Sequence, residues 1–148
     1  MKLRWHSFVL GTVLAALVIQ LVPYGRNHAN PPIVTEPLWD APRTRELARE
    51  ACFDCHSNET RWPWYASIAP FSWKVQRDVE RGRAVLNFSE WHRPNTSSGK
   101  AIDDVQGNAM PPRSYRDLHE TSGLDAEEKR ALSEGLERTL MRPDDSRG

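Results

Sequence analysis

Both cysteines of the chain fall in one hexapeptide, Ala51-Cys52-Phe53-Asp54-Cys55-His56, two residues apart and with a histidine directly after the second. This Cys-x-x-Cys-His run is the attachment signature of a c-type haem. Thioether bonds to the two vinyl groups of one porphyrin require sulfurs that project together from about one turn of backbone, and a gap of two residues supplies that. His56 then sits under the ring and offers its imidazole nitrogen to the iron as proximal ligand. The cofactor so implied is one haem c, covalent through Cys52 and Cys55, and the rest of the chain must fold as its housing.

Other uses of the same residues are weaker. A thioredoxin-type pair should follow a strand in a βαβ pattern, and no strand-rich run precedes Cys52. A structural zinc site needs two further ligands, and His92 and His119 lack the paired spacing of such sites. A plain disulfide also remains open at this point. At 148 residues the chain has room for one small domain beyond its N-terminal segment. Basic and acidic residues balance at 20 each, so no basic excess argues for nucleic acid.

The N-terminus carries Lys2 and Arg4 before an uncharged apolar run from Phe8 to Val22, bounded by Pro23 and Tyr24. Residues 1–24 read as a signal anchor: Trp5 to Tyr24 gives about the 20 residues of a transmembrane helix, with aromatics at both ends. Gln20 interrupts the end of the run, and no Ala-x-Ala cut site follows Val22. Either as an anchor in the bacterial inner membrane or as a cleaved leader, it leaves the basic residues in the cytoplasm and everything after Pro23 in the periplasm, where c-type haem is attached.

Residues 25–42 hold Pro31, Pro32, Pro37 and Pro42 without an apolar period and read as an extended tether. Residues 43–141 form the haem domain. Its first helix is expected near Thr44 as N-cap, with Leu47, Ala48, Ala51, Cys52 and Cys55 on one stripe. A second helix is expected from Pro70 or Phe71 to about Leu86, burying Phe71, Val75, Val79, Val85 and Leu86. A short helix over about 99–106 carries Ile102 and Val105 and stops at Gly107. The last begins after Asp125, with Glu128 completing a capping box, and buries Leu132, Leu136, Thr139 and Leu140 while Gly135 permits a close helix crossing. Residues 142–148 read as a disordered tail. The fold class is all-α, about four helices round one haem.

The stretch Cys-Phe-Asp-Cys-His-Ser-Asn-Glu-Thr-Arg-Trp-Pro-Trp-Tyr, continuing through Ile68-Ala69-Pro70 to Trp73 and then Leu86-Asn87-Phe88-Ser89-Glu90-Trp91, resembles the bacterial haem-binding domain family of single-haem, cytochrome c-like exported proteins. The resemblance spans roughly Thr44 to Leu140 and implies a cytochrome c-like bundle in which the first and last helices cross. By the same likeness the sixth iron ligand is a methionine from a downstream loop. Met110, followed by Pro111 and Pro112, fits that place, and Met1 and Met141 do not. As core filler, the ordinary role of a lone methionine, it would instead be packed away. His119 and His92 are the fallback ligands.

Around the iron, Trp62, Trp64 and Tyr65 are candidates to shield a haem edge, and Arg61 and Tyr115 are candidates to bind a propionate. A six-coordinate iron on His56 and Met110 has no open site, so the expected function is a membrane-anchored single-electron carrier whose redox partner protein the sequence does not name. The rival is a haem enzyme or a gas or redox sensor with a displaceable sixth ligand.

Overall fold

The computed structural model describes residues 2–93, 98–119 and 123–140. The tail at 142–148, Met141 and residues 94–97 lie outside the described residues. Among the described residues the chain is all-helical: α1 (Lys2–Ile19), α2 (Pro42–Ala51), α3 (Phe53–His56), α4 (Phe71–Val85), α5 (Ser98–Gln106), α6 (Arg113–Arg116) and α7 (Ala126–Leu140), with one 3-10 turn at Trp64–Ser67.

The chain divides into two compact units, residues 1–29 with 62–78, and residues 30–61 with 79–140 among those described. In the first unit, α1 is 18 residues long and so about 27 Å. Among the described residues no helix is long and apolar enough to cross a membrane, so the expected span finds no support there. Gln20 lies just past the last helical residue. Its amide donates to the Ala69 carbonyl at 2.9 Å and accepts from the Ala69 N–H at 3.0 Å. His28 stacks on Trp62 with ring centroids 4.9 Å apart, and its Nε2 bonds the Ala66 carbonyl at 3.1 Å. Gly25 has φ +81°, and a Cβ there would meet the Ser72 carbonyl oxygen at 2.2 Å, so only glycine suits that crossing.

The second unit holds the core: Leu47, Ala48, Ala51, Phe53, Leu86, Phe88, Ile102, Val105, Leu132 and Leu136. Helix α2 starts at Pro42, two residues before the expected cap. Proline is suited to the first turn because its missing N–H is one the helix would leave unbonded anyway, and Thr44 is then an interior, buried residue. Thr44 faces Gly135 of α7, where a Cβ would come within 2.2 Å of its Oγ1. The first and last domain helices thus cross at a glycine. Asp125 and Glu128 form the expected capping box of α7, Glu128 N–H donating to Asp125 Oδ1 at 2.8 Å and Asp125 N–H to Glu128 Oε2 at 3.3 Å. Helix α5 packs on α7 through Ile102 and Val105, both buried.

The expected inward stripe of α4 holds at Val79 and Leu86 but not at Phe71 or Val85, which are exposed. Gly82 is buried in their place. A small residue there lets the helix backbone approach its neighbour more closely than Val85 would.

Residues 30–41 form no helix and run along the second unit. Val34 and Thr35 donate to the Ser89 carbonyl at 2.9 and 3.1 Å, and Trp91 donates to that of Thr35 at 2.8 Å. Trp39 packs on Phe53 and Phe88 and donates to Glu36 Oε2 at 2.8 Å. Asp40 takes Arg138 Nε at 2.7 Å.

Candidate haem site

Helix α2 ends at Cys52, which also opens the single-turn α3, so both sulfurs and the histidine sit on one continuous helical corner. The backbone N–H groups of Cys55 and His56 both donate to the Cys52 carbonyl, at 3.1 and 2.9 Å. The two cysteines form no disulfide with each other. Enclosure of its sulfur, with the neighbouring Cys55 adding to the effect, pushes the Cys52 thiol up to about 12. A redox-active pair needs the opposite shift, because the attacking species is the thiolate. Among the described residues no group of three His, Cys, Asp or Glu side chains could hold a metal ion, so a zinc site finds no second pair of ligands.

His56 is held by the segment that follows α4. Its Nδ1 lies 3.1 Å from the Leu86 carbonyl oxygen, and a carbonyl only accepts, so Nδ1 carries the proton and Nε2 the basic lone pair. Orientation of a ligating imidazole by a backbone carbonyl is the usual way its tautomer is set. Burial lowers the pKa of His56, while the carbonyls of Leu86 and Gly82 and the charge of Asp104 act the other way. The net result favours the neutral ring, the form that binds metal. The His56 carbonyl in turn accepts from Phe88 N–H at 2.8 Å, so the 86–88 backbone grips the histidine at both ends.

That grip is itself braced. Asn87 donates to Asn58 Oδ1 at 3.0 Å and accepts from Ser89 N–H at 2.9 Å, and Ser89 Oγ accepts from Asn58 N–H at 3.0 Å. Arg83 of α4 donates to the Ser57 carbonyl at 2.8 Å and to Thr60 Oγ1 and Asn30 Oδ1, each at 2.9 Å. Burial pulls its pKa below the usual guanidinium range. Phe53, between the cysteines, stacks on Phe88 with centroids 5.5 Å apart, and Phe88 stacks on Trp91 at 6.1 Å.

The remaining residues singled out in the sequence divide as follows. Met110 follows the end of α5, its N–H and that of Ala109 donating to the Asp104 carbonyl at 2.9 and 2.8 Å. Met110 is 36% exposed, so it is not core filler. Arg61 and Tyr115 meet on one carboxylate: Asp54 accepts Arg61 Nε at 3.1 Å and Nη2 at 3.2 Å, and the Tyr115 hydroxyl at 2.5 Å. His119 stacks on Tyr115 at 4.1 Å and its Nδ1 bonds the Tyr115 carbonyl at 2.9 Å. His92 is exposed. Trp62, Trp64 and Tyr65 belong to the other compact unit, where Trp64 and Tyr65 meet edge to face.

Sequence reasoning missed Asp54, Leu86, Asn87 and Phe88 as parts of the site. The run Asn87-Phe88-Ser89-Glu90-Trp91 carried a usable signal, since an Asn and a Ser two apart form a side-chain-bonded turn.

The model of a haem-binding domain family matches residues 14–138, most of the chain. The chain belongs to the haem-binding domain family. Neither a search of curated proteins nor one of solved structures returned a match. A haem fits the residues present: two thiols unbridged on one helical corner, and an imidazole beside them whose proton is fixed on the far nitrogen.

Proposed function

We propose that this haem-binding domain is a c-type, single-electron carrier: haem bonded through Cys52 and Cys55, iron held by His56 and Met110, working with a redox partner protein on the outer side of the bacterial inner membrane. The observation that carries the reading is the His56 Nδ1 contact to the Leu86 carbonyl at 3.1 Å, which directs the basic nitrogen away from the backbone on the same turn as both thiols. Bound there, the haem would supply an iron that alternates between ferrous and ferric states. The protein's part is to fix the imidazole, exclude water with Phe53 and Phe88, and present a thioether. Exposure of Met110 favours a ligand over a packing residue, and a thioether ligand raises the potential relative to a second histidine. The basic residues before the apolar run of α1 support export, with the haem domain in the periplasm.

Two measurements test this. A pyridine haemochrome spectrum of protein made with c-type maturation factors should report thioether-linked haem, and the colour should stay with the polypeptide on extraction with acidified organic solvent. Colour leaving with the solvent rejects the covalent linkage. Low-spin bands indifferent to carbon monoxide or cyanide fit a relay, whereas high-spin bands that shift on addition fit a haem enzyme or sensor. Protease added to spheroplasts should degrade the haem domain; full protection would place it in the cytoplasm.

A further inference from the structure

We propose that Asp54, the second residue between the two cysteines, is a positioning residue that ties the methionine loop to the haem-attachment turn through Tyr115. This rests on the reading of Met110 as the sixth ligand and extends it to what holds that ligand in place.

Asp54 is buried, with 7% of its surface exposed, on the single turn that carries both sulfurs and His56. Its carboxylate accepts four hydrogen bonds: Oδ1 from the Arg61 backbone N–H at 3.0 Å and Nε at 3.1 Å, and Oδ2 from Arg61 Nη2 at 3.2 Å and Tyr115 OH at 2.5 Å. Its own carbonyl takes Thr60 Oγ1 at 2.9 Å. The Arg61 guanidinium compensates the buried charge and, with two nitrogens on the carboxylate, fixes its plane. The remaining direction is used by Tyr115.

Tyr115 lies on α6, four residues long and directly after Met110-Pro111-Pro112. One helical turn does not hold itself in water. Upstream, the loop is fastened to α5 by Ala109 and Met110 on the Asp104 carbonyl. Across the loop, Arg116 Nη1 donates to the Pro111 carbonyl at 3.0 Å. Neither contact fixes the loop against the cysteine turn. The phenol bond to Asp54 does, and it joins residues 61 apart in sequence. Met110 is therefore suspended between α5 on one side and the attachment turn on the other. Loss of the phenol frees the downstream end.

The test uses Tyr115→Phe, which removes one hydroxyl and leaves the Arg61 pair. Three quantities are read on the full chain: haem content by pyridine haemochrome, affinity of the iron for added imidazole, and backbone hydrogen exchange over 109–117. The expected result is haem still attached, imidazole affinity raised roughly tenfold and exchange at 109–117 accelerated by a similar factor, the scale set by one hydrogen bond to a charged acceptor. Asp54→Asn, which keeps one acceptor oxygen and loses the charge, should give the same changes. If Tyr115→Phe and Asp54→Asn both leave exchange at 109–117 at the wild-type rate, the tie does not exist. In a Met110→Ala background Tyr115→Phe should add nothing to imidazole affinity while still accelerating exchange. An additive gain there would mean that the tie acts on some other ligand. A Met110→Ala spectrum identical to wild type would reject the sixth-ligand reading itself, and the exchange measurement would still decide the tie.

Discussion

A methyl group on the Cα of Gly82 would lie 2.2 Å from the carbonyl oxygen of Cys55 and 2.8 Å from its carbonyl carbon. Helix α4 thus crosses the Cys-x-x-Cys-His turn backbone against backbone, with no flexible side-chain end able to yield. Gly82→Ala must push α4 away from Cys55 and, four residues on, move the Leu86 carbonyl that orients His56. The expected cost is about 1–3 kcal/mol, the range for overfilling a packed site, together with a lower yield of covalent haem. Urea denaturation and haem content per polypeptide check both. An alanine variant with wild-type midpoint and full haem would show that the crossing can relax.

The second glycine crossing is softer. At Gly135 a Cβ would meet the Thr44 side chain, Oγ1 at 2.2 Å and Cγ2 at 2.6 Å. The obstruction can be removed from the other helix, so Gly135→Ala and Thr44→Ala should not add. The expected coupling is about 1 kcal/mol in favour of the double variant, measured by a double-mutant cycle of urea midpoints. Simple additivity would mean that α2 and α7 separate rather than repack.

The capping box at Asp125 and Glu128 and the glycine in α7 were legible because each is a local pattern with a definite geometric use, and the Cys-x-x-Cys-His run pointed to the haem-binding family. The start of α2 was misplaced because Thr44 has the chemistry of a cap and Pro42 that of a first helical residue, and only tertiary contact with Gly135 decides between them. The stripe of α4 was misread for a related reason: periodicity weighs Phe71 and Val85 by their apolar size, whereas burial selected the small Gly82. Asp54 was passed over between two more conspicuous cysteines. Its partners Arg61 and Tyr115 were noticed as candidates for the haem carboxylates, chemistry that a protein carboxylate satisfies equally well. Residues 30–41 lack an apolar period, and their hydrogen bonds to 89–91 are made by backbone, which leaves no mark in the side-chain pattern.

Acid should loosen the second unit through Glu36. Its hydrogen bonds from Arg45, at 2.6 and 2.7 Å, hold its carboxyl below the usual carboxylate range against the opposing effect of burial, with Trp39 adding to the shift. A carboxyl depressed in the folded state stabilises the fold at pH values above its unfolded pKa, and that stabilisation is lost as pH falls through the folded value. Glu90, lowered first by the Asn58 amide and then by Arg93, acts in the same direction. Stability should therefore fall as the pH drops below the ordinary carboxylate value of 4.5, and Glu36→Gln should be less stable at neutral pH and lose less on acidification. Urea midpoints taken across the range test this; parallel pH profiles for the two proteins would exclude Glu36 as a source of the acid sensitivity.

Met110→Ala separates the relay from its rivals. Its N–H is fixed to the Asp104 carbonyl at 2.9 Å, and Asp104 is also the carboxylate whose charge acts on His56, so the Met110 loop and His56 share one neighbour on α5. On the proposed ligation, removing the thioether would take away an iron ligand that favours the ferrous state. The potential should drop on the order of a hundred millivolts, and the iron should begin to bind carbon monoxide and cyanide. The alanine side chain cannot refill the position, so both changes should appear together and the polypeptide should keep its covalent haem. An unchanged spectrum and potential would move the sixth ligand elsewhere. His119, with its ring on Tyr115 and its Nδ1 on the Tyr115 carbonyl, is then the residue to replace. In that case His119→Ala, rather than Met110→Ala, should open the iron and raise the potential, because a bis-histidine site starts from the lower value.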